Sequence, residues 1–180
     1  MTSILHDPFF WAFVAMFGAV GGNAIQGSPV VGRRTWFGAV VISMVTFGRV
    51  FLVLPFVEQP RFAFPGSMAA GVLVIAASLG LMAPLLLISF ATRPDAQEPL
   101  STRGVFGLVR HPGYLANTLW GLGWAVAFGS VIGVALTPVW LAVFYLHALI
   151  EEEALLAAYG AVYREYMSRV PARVVPGLRV

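Results

Sequence analysis

Two short strings in the second half of this chain carry the residue types that chemistry needs. Arg110-His111-Pro112-Gly113-Tyr114 closes a polar stretch that begins near residue 91, and the run Glu151-Glu152-Glu153 begins 40 residues after His111. Proline suits the first turn of a helix, where it would leave the N–H groups of Gly113 and Tyr114 to receive an anion such as a carboxylate. A glutamate at 151 or 152 can bind an ammonium group or a pair of ribose hydroxyls. Together the two strings suit a zwitterionic, nucleoside-bearing ligand. Each also has a plainer reading, the first as an interfacial turn and the second as a solvated helix face. His111, His147 and the glutamates lack the His-x-x-x-His or Glu-x-x-His spacing of a metal centre, so no metal is expected. No motif supports a Ser–His nucleophile pair.

The elements that must position these residues are membrane helices. The 180 residues are 59% hydrophobic and 11% charged, whereas soluble domains carry about a quarter of their residues charged. Crossing a bilayer core takes roughly 20 apolar residues in a helix. Five stretches qualify: 8–25, 36–57, 66–90 with a kink expected at Pro84, 113–128, and 131–150. The last two are joined by little more than Gly129-Ser130, which forces an antiparallel hairpin and brings the His-Pro turn beside the acidic run. The expected class is therefore an all-α integral membrane protein, with residues 1–90 as a three-helix region and 91–180 as the functional region. Leu155, Tyr159, Val162, Tyr163, Tyr166 and Val170 recur at helical spacing, so 151–170 reads as an amphipathic helix on the membrane surface.

Charge gives the orientation. With the N-terminus outside, the inner segments receive Arg33, Arg34, Arg93, Arg103, Arg110, Arg164, Arg169, Arg173 and Arg179, and the outer loops only Arg61. The C-terminus is then cytoplasmic. The net charge of +3 is carried by arginines beside apolar runs rather than in a stripe, so no nucleic-acid partner is expected. Cysteine is absent, which leaves no thiol nucleophile or disulfide framework. The first apolar run lacks the basic start and cleavage site of a signal peptide. Arg49 lies deep within 36–57 and should face the bundle interior or a polar cavity. Asn23 and Gln26 mark the inner end of the first span.

At these residues a family resemblance appears. Gly104-Val105-Phe106-Gly107-Leu108-Val109-Arg110-His111-Pro112-Gly113-Tyr114 resembles the Gly-x-Tyr-x-x-x-Arg-His-Pro-x-Tyr region of isoprenylcysteine carboxyl methyltransferases. Glu151-Glu152-x-x-Leu155-x-x-x-Tyr159-Gly160-x-x-Tyr163-x-x-Tyr166, followed by Arg169-Val170-Pro171, resembles the same family's C-terminal region. Phospholipid methyltransferases share a looser version. The resemblance covers about Glu98 to Leu178. It implies S-adenosylmethionine as cofactor and S-adenosylhomocysteine as product. It assigns Glu98, Pro99, Leu100, Ser101, Phe106, Arg110, His111, Pro112, Gly113, Tyr114 and Glu151 to the cofactor pocket, with Tyr163 on the helix closing over it. His147 stands where the family has its substrate-contacting arginine, and Phe106 where it often has tyrosine.

A neutral histidine cannot grip a carboxylate as an arginine fork does, so the expected acceptor is one other than a prenylcysteine carboxylate: another lipophilic carboxylate, amine, thiol or hydroxyl entering from the bilayer. His147, Asn117 or Glu152 would orient or deprotonate it. The absence of lysine and the Ala/Gly/Arg-rich composition point to a GC-rich bacterial genome, hence a bacterial inner membrane. The competing readings are a phospholipid N-methyltransferase, a small transporter or assembly factor, and a family member that binds the cofactor without transferring methyl groups. A transporter would need polar residues along several spans, whereas here they gather at the cytoplasmic end. The sequence fixes no oligomeric state.

Overall fold

The structure, a computed structural model, describes residues 58–91 and 100–178. The spans expected over 8–25 and 36–57, together with Arg49, Asn23 and Gln26, lie outside the described residues, as do Glu98 and Pro99. Among the described residues all regular elements are helical: α1 (Ser67–Ala91), a 3-10 turn (Gly104–Gly107), α2 (Pro112–Ala127), α3 (Val131–Tyr159) and α4 (Ala161–Arg169). Two of them are long and apolar enough to cross a membrane, α1 over Ser67–Leu85 and α3. Only 11% and 17% of their apolar windows are buried inside the protein. The core helix of a soluble protein would be mostly buried, so these faces are suited to lipid. At 16 residues, α2 extends about 24 Å, short of the bilayer core.

The described residues form two compact units. One contains, of the described residues, 58–75 and Gly121–Thr137. Here the turn between α2 and α3 is closed from both sides. The N–H groups of Gly129 and Ser130 donate to the carbonyls of Val126 and Ala125 (3.1 and 2.8 Å), the paired bonds of a glycine-ended helix. Gly129 accordingly takes φ +64°. Ser130 then caps α3, its Oγ accepting the Gly133 N–H at 2.9 Å. The segment before α1 packs on this turn: the Phe62 N–H donates to the Gly129 carbonyl at 2.8 Å, and Arg61 Nη1 donates to the Phe128 carbonyl at 2.8 Å. The sequence thus makes the tight hairpin through local capping chemistry, as the Gly129-Ser130 pair predicts.

The second unit contains Ala76–Trp120 and Pro138–Val180. Ser78 on α1 is buried and donates through Oγ to the Ala116 carbonyl of α2 at 2.7 Å. The largest departure from expectation lies in α3, which does not stop at residue 150 but continues through the three glutamates to Tyr159. Glutamate, alanine and leucine are strong helix formers, and nothing interrupts them before Gly160, whose φ of +54° breaks the run. The expected single amphipathic helix over 151–170 is therefore two pieces. In the second, α4, Tyr163 and Tyr166 are buried and Val170 follows them inward. Val162, expected on the same face, is 58% exposed, because the break at Gly160 resets the helical phase.

A side chain at position 129 would need a left-handed conformation and would collide with the Phe62 carbonyl. Gly129→Val should lower unfolding stability by about 1–3 kcal/mol through strain and overpacking, measured as a fall in thermal midpoint in detergent. An unchanged midpoint would mean that this turn does not hold the hairpin.

Candidate active site

The site is built where the start of α2 meets the far part of α3. Pro112 is fully buried at the first position of α2. The preceding residues, Arg110 and His111, leave the helix axis and face α3. The Tyr114 N–H donates to the His111 carbonyl at 3.2 Å, so it is not available to receive an anion as the sequence led us to expect.

Glu152 lies at the centre. Its side chain is 4% exposed. Oε1 accepts Arg110 Nε at 2.7 Å and faces His111 Nε2 at 3.2 Å. Oε2 takes Arg173 Nε and Nη2, each at 2.9 Å. A lone buried carboxylate costs several kcal/mol to desolvate; here two guanidinium groups and an imidazole surround it. Arg110, with a side chain 1% exposed, also donates Nη1 to the Val170 carbonyl at 2.8 Å, while its buried Nη2 has no hydrogen-bond partner among the described residues.

Glu151, the next residue on α3, diverges by about 100° around the helix and points to the rim, 49% exposed. Its Oε2 accepts the Tyr114 hydroxyl at 2.9 Å and lies 3.3 Å from His111 Nδ1. The imidazole of His111 thus sits between two carboxylates, one at each nitrogen. A neutral ring can donate from only one nitrogen, whereas the imidazolium donates from both. Burial works against that charge, but the hydrogen bonds and charges of Glu151 and Glu152 outweigh it and raise the His111 pKa above its ordinary 6.5. Tyr114 stacks on His111 (centroids 5.5 Å) and on Phe144 (5.4 Å).

A second layer seals the site. Tyr163, Tyr166 and Val170 form a buried cluster with Leu100, Phe106, Leu155, Leu156, Tyr159 and Met167. The Tyr166 hydroxyl donates to the Phe106 carbonyl at 2.7 Å, and burial first of all raises its pKa to about 12, so it stays a neutral donor. Tyr163 has a buried hydroxyl without a partner, and burial, with the charge of Glu152 next, pushes its pKa up as well.

Of the residues singled out from the sequence, Arg110, His111, Tyr114, Glu151 and Glu152 come together in one connected cluster. Phe106, Leu100 and Tyr163 belong to the adjoining apolar layer, and Ser101 is half-buried at its start. Gly113 contributes its carbonyl, which accepts Asn117 Nδ2 at 3.1 Å; the Asn117 amide is thereby directed along its own helix. His147 is half-buried, tilted 57° against the Tyr114 ring with centroids 6.4 Å apart. Glu152, expected to orient or deprotonate an acceptor, is instead occupied at both oxygens by the cluster's cations. Two participants had no distinguishing sequence signal. Arg173 looked like another membrane-flanking arginine and Tyr145 like part of an apolar span, yet Arg173 Nη1 donates to the Tyr145 hydroxyl.

Similarity to known proteins agrees with this picture. A family model described as phospholipid methyltransferase matches residues 67–162, more than half of the 180. The chain belongs to the phospholipid methyltransferase family, a family of membrane methyltransferases. It is also similar to protein-S-isoprenylcysteine O-methyltransferase from Schizosaccharomyces pombe, 29% identical over 85 residues, which are 47% of this chain and 36% of that protein. A Delta(14)-sterol reductase from Mus musculus is 33% identical over 82 residues, 43% of this chain and 19% of that protein. The chain therefore spans about a third and a fifth of these relatives. No solved structure matches.

Linkage gives the sign of the pH response. A histidine whose folded pKa is raised stabilises the fold fully below its unfolded value of 6.5, and the contribution disappears as pH climbs through the raised folded value. The difference in thermal midpoint between wild type and His111→Gln should therefore be largest below pH 6.5 and shrink above it. A difference that stays constant across that window would mean that His111 is not held as an imidazolium.

Proposed function

We propose that this chain is an integral membrane S-adenosylmethionine-dependent methyltransferase that methylates the polar end of a lipophilic acceptor at the membrane–cytoplasm interface. The observation that carries this is the convergence of Tyr114, His111 and Glu151 at a half-exposed carboxylate beside a buried ionic cluster. Family membership supplies the reaction class. The arginine asymmetry supports five spans with the N-terminus outside and the C-terminus in the cytoplasm, and the composition a bacterial inner membrane.

The side chains present suit the cofactor. The Glu151 carboxylate, at the rim with the Tyr114 hydroxyl, matches an ammonium or ribose hydroxyls. The partnerless Arg110 Nη2 and Tyr163 Oη are buried donors able to meet an acceptor atom. Leu100 and Phe106 offer an apolar wall. When bound, S-adenosylmethionine supplies an already activated methyl group, so no side-chain nucleophile is needed. The protein's work is to align the acceptor and exclude water, effects worth up to about 7–11 kcal/mol. Glu152 serves as an anchor: it fixes Arg110 and His111, which fix the Glu151 rim. His147, against the Tyr114 ring, is the group placed to orient the acceptor or take its proton, and Asn117 lines the α2 side.

Histidine at 147 favours an acceptor other than a prenylcysteine carboxylate. The family model favours a second reading, a phospholipid N-methyltransferase. Lipid extracts incubated with the protein and S-adenosylmethionine distinguish them: mass spectrometry should find a lipid heavier by one methylene unit, and its headgroup names the acceptor. Calorimetry tests the cofactor site. S-adenosylhomocysteine should bind the wild type, and Glu151→Gln should weaken it by about tenfold or more, the loss expected when a charge-assisted hydrogen bond goes. A wild type that ignores S-adenosylhomocysteine, as a reductase would, overturns the reading.

A further inference from the structure

The segment after α4 lies beyond the residues matched by the family model, which end at 162, yet it is built into the site. Val170, Ala172 and Val174 are buried, and Arg173 between them turns its guanidinium onto Glu152, so the segment, bent at 173–175, is a strap pressed onto the site. The strap is attached through its backbone to the His-Pro corner. The Ala172 carbonyl accepts the Arg110 N–H and the Arg173 carbonyl accepts the His111 N–H, both at 2.9 Å. These are the two residues whose side chains reach Glu152.

Arg173 closes the loop. Its guanidinium takes Glu152 Oε2 in a two-pronged contact, Nε and Nη2 each at 2.9 Å. The third nitrogen donates to the Tyr145 hydroxyl, and the guanidinium carbon stands 4.9 Å from the centroid of that ring. All three guanidinium nitrogens are therefore committed to α3, while the backbone of the same residue holds the corner before α2. Both nitrogens converge on one oxygen, so Arg173 holds Oε2 as a charge-assisted anchor. With Oε2 so held, the other oxygen, Oε1, is the one that meets Arg110 and His111.

We infer that Arg173 is a positioning residue, and that the 170–174 strap is the device that pre-organises the cofactor-binding rim of His111, Tyr114 and Glu151. The inference rests on the cofactor reading above. Removing Arg173 frees Glu152 to turn and detaches the strap, which loosens the two amides that anchor the corner. The ligand would then have to order that corner as it binds, and affinity falls.

Two measurements on the full chain in detergent test this. The first is hydrogen exchange at the Arg110 and His111 amides, which needs no ligand. In Arg173→Ala exchange there should speed up, with the Ser130 amide in the other unit unchanged, the mark of local rather than global opening. The second is calorimetric affinity for S-adenosylhomocysteine, taken well below the variant's thermal midpoint. Arg173→Ala should bind about tenfold or more weakly, and Arg173→Lys, which retains the charge without the fork, should recover part of the loss. A merely structural arginine would lower the midpoint and leave the affinity of the folded protein intact. Unchanged exchange at the two amides overturns the inference, as does faster exchange with wild-type affinity. If Arg173→Ala does not fold, Arg173→Lys carries both readouts, with smaller changes of the same sign expected. If the wild type binds no S-adenosylhomocysteine, the cofactor reading fails, the rim loses its proposed ligand, and exchange alone decides whether Arg173 holds the strap.

Discussion

A single buried carboxylate organises the second unit of this protein. Glu152 is taken from water on a helix otherwise rich in apolar residues, and that is tolerable only with cations at close range. Arg110 and His111 come from the corner before α2, and Arg173 from the chain after α4. Three separate segments are thus tied to one side chain. Because the charges are buried, their geometry is strongly constrained: a shift of the carboxylate would leave the Arg110 guanidinium buried away from its counter-charge. The ionic centre therefore does for this unit what apolar packing does in a soluble domain.

The neighbouring glutamate shows how one helix separates a buried carboxylate from a half-exposed one. Glu151 and Glu152 are adjacent in sequence, yet helical geometry sends one carboxylate inward and the other to the rim. His111 spans the two, with a ring nitrogen facing each. The inner pair holds the imidazole, and the imidazole with the Tyr114 hydroxyl holds Glu151 in place. In this arrangement the protein supplies orientation and electrostatics, which is the contribution a methyltransferase must make when its cofactor carries the reactive group.

Much of this was legible in the sequence, and the part that was not has physical reasons. The 66–90 span and the hairpin could be read because apolar length and a Gly-Ser turn are local signals, and the structure places α1, α2 and the start of α3 within a residue or so of them. The meeting of His111 with the glutamates followed from the hairpin's tightness. The end of α3 was misread because the change from apolar to acidic composition resembles a boundary, whereas the backbone responds to helix propensity and stops only at Gly160. Arg173 and Tyr145 were invisible as site residues because their partnership is formed by a non-repetitive strap, and no periodicity encodes where such a strap returns. Free N–H groups at the start of α2 were expected from proline alone, without allowance for the His111 carbonyl that takes one of them.

The account depends on energetic coupling between the corner and α3, and a double-mutant cycle measures that directly. Unfolding free energies of wild type, Arg110→Met, Glu152→Met and the double variant give the interaction between the two side chains. The account predicts strong coupling, about 2–3 kcal/mol, because Glu152→Met leaves the buried Arg110 guanidinium without its carboxylate, a loss that the double variant removes. Additive losses, within about 0.5 kcal/mol, would mean that the two side chains do not meet in the folded protein, and the site as described would not exist.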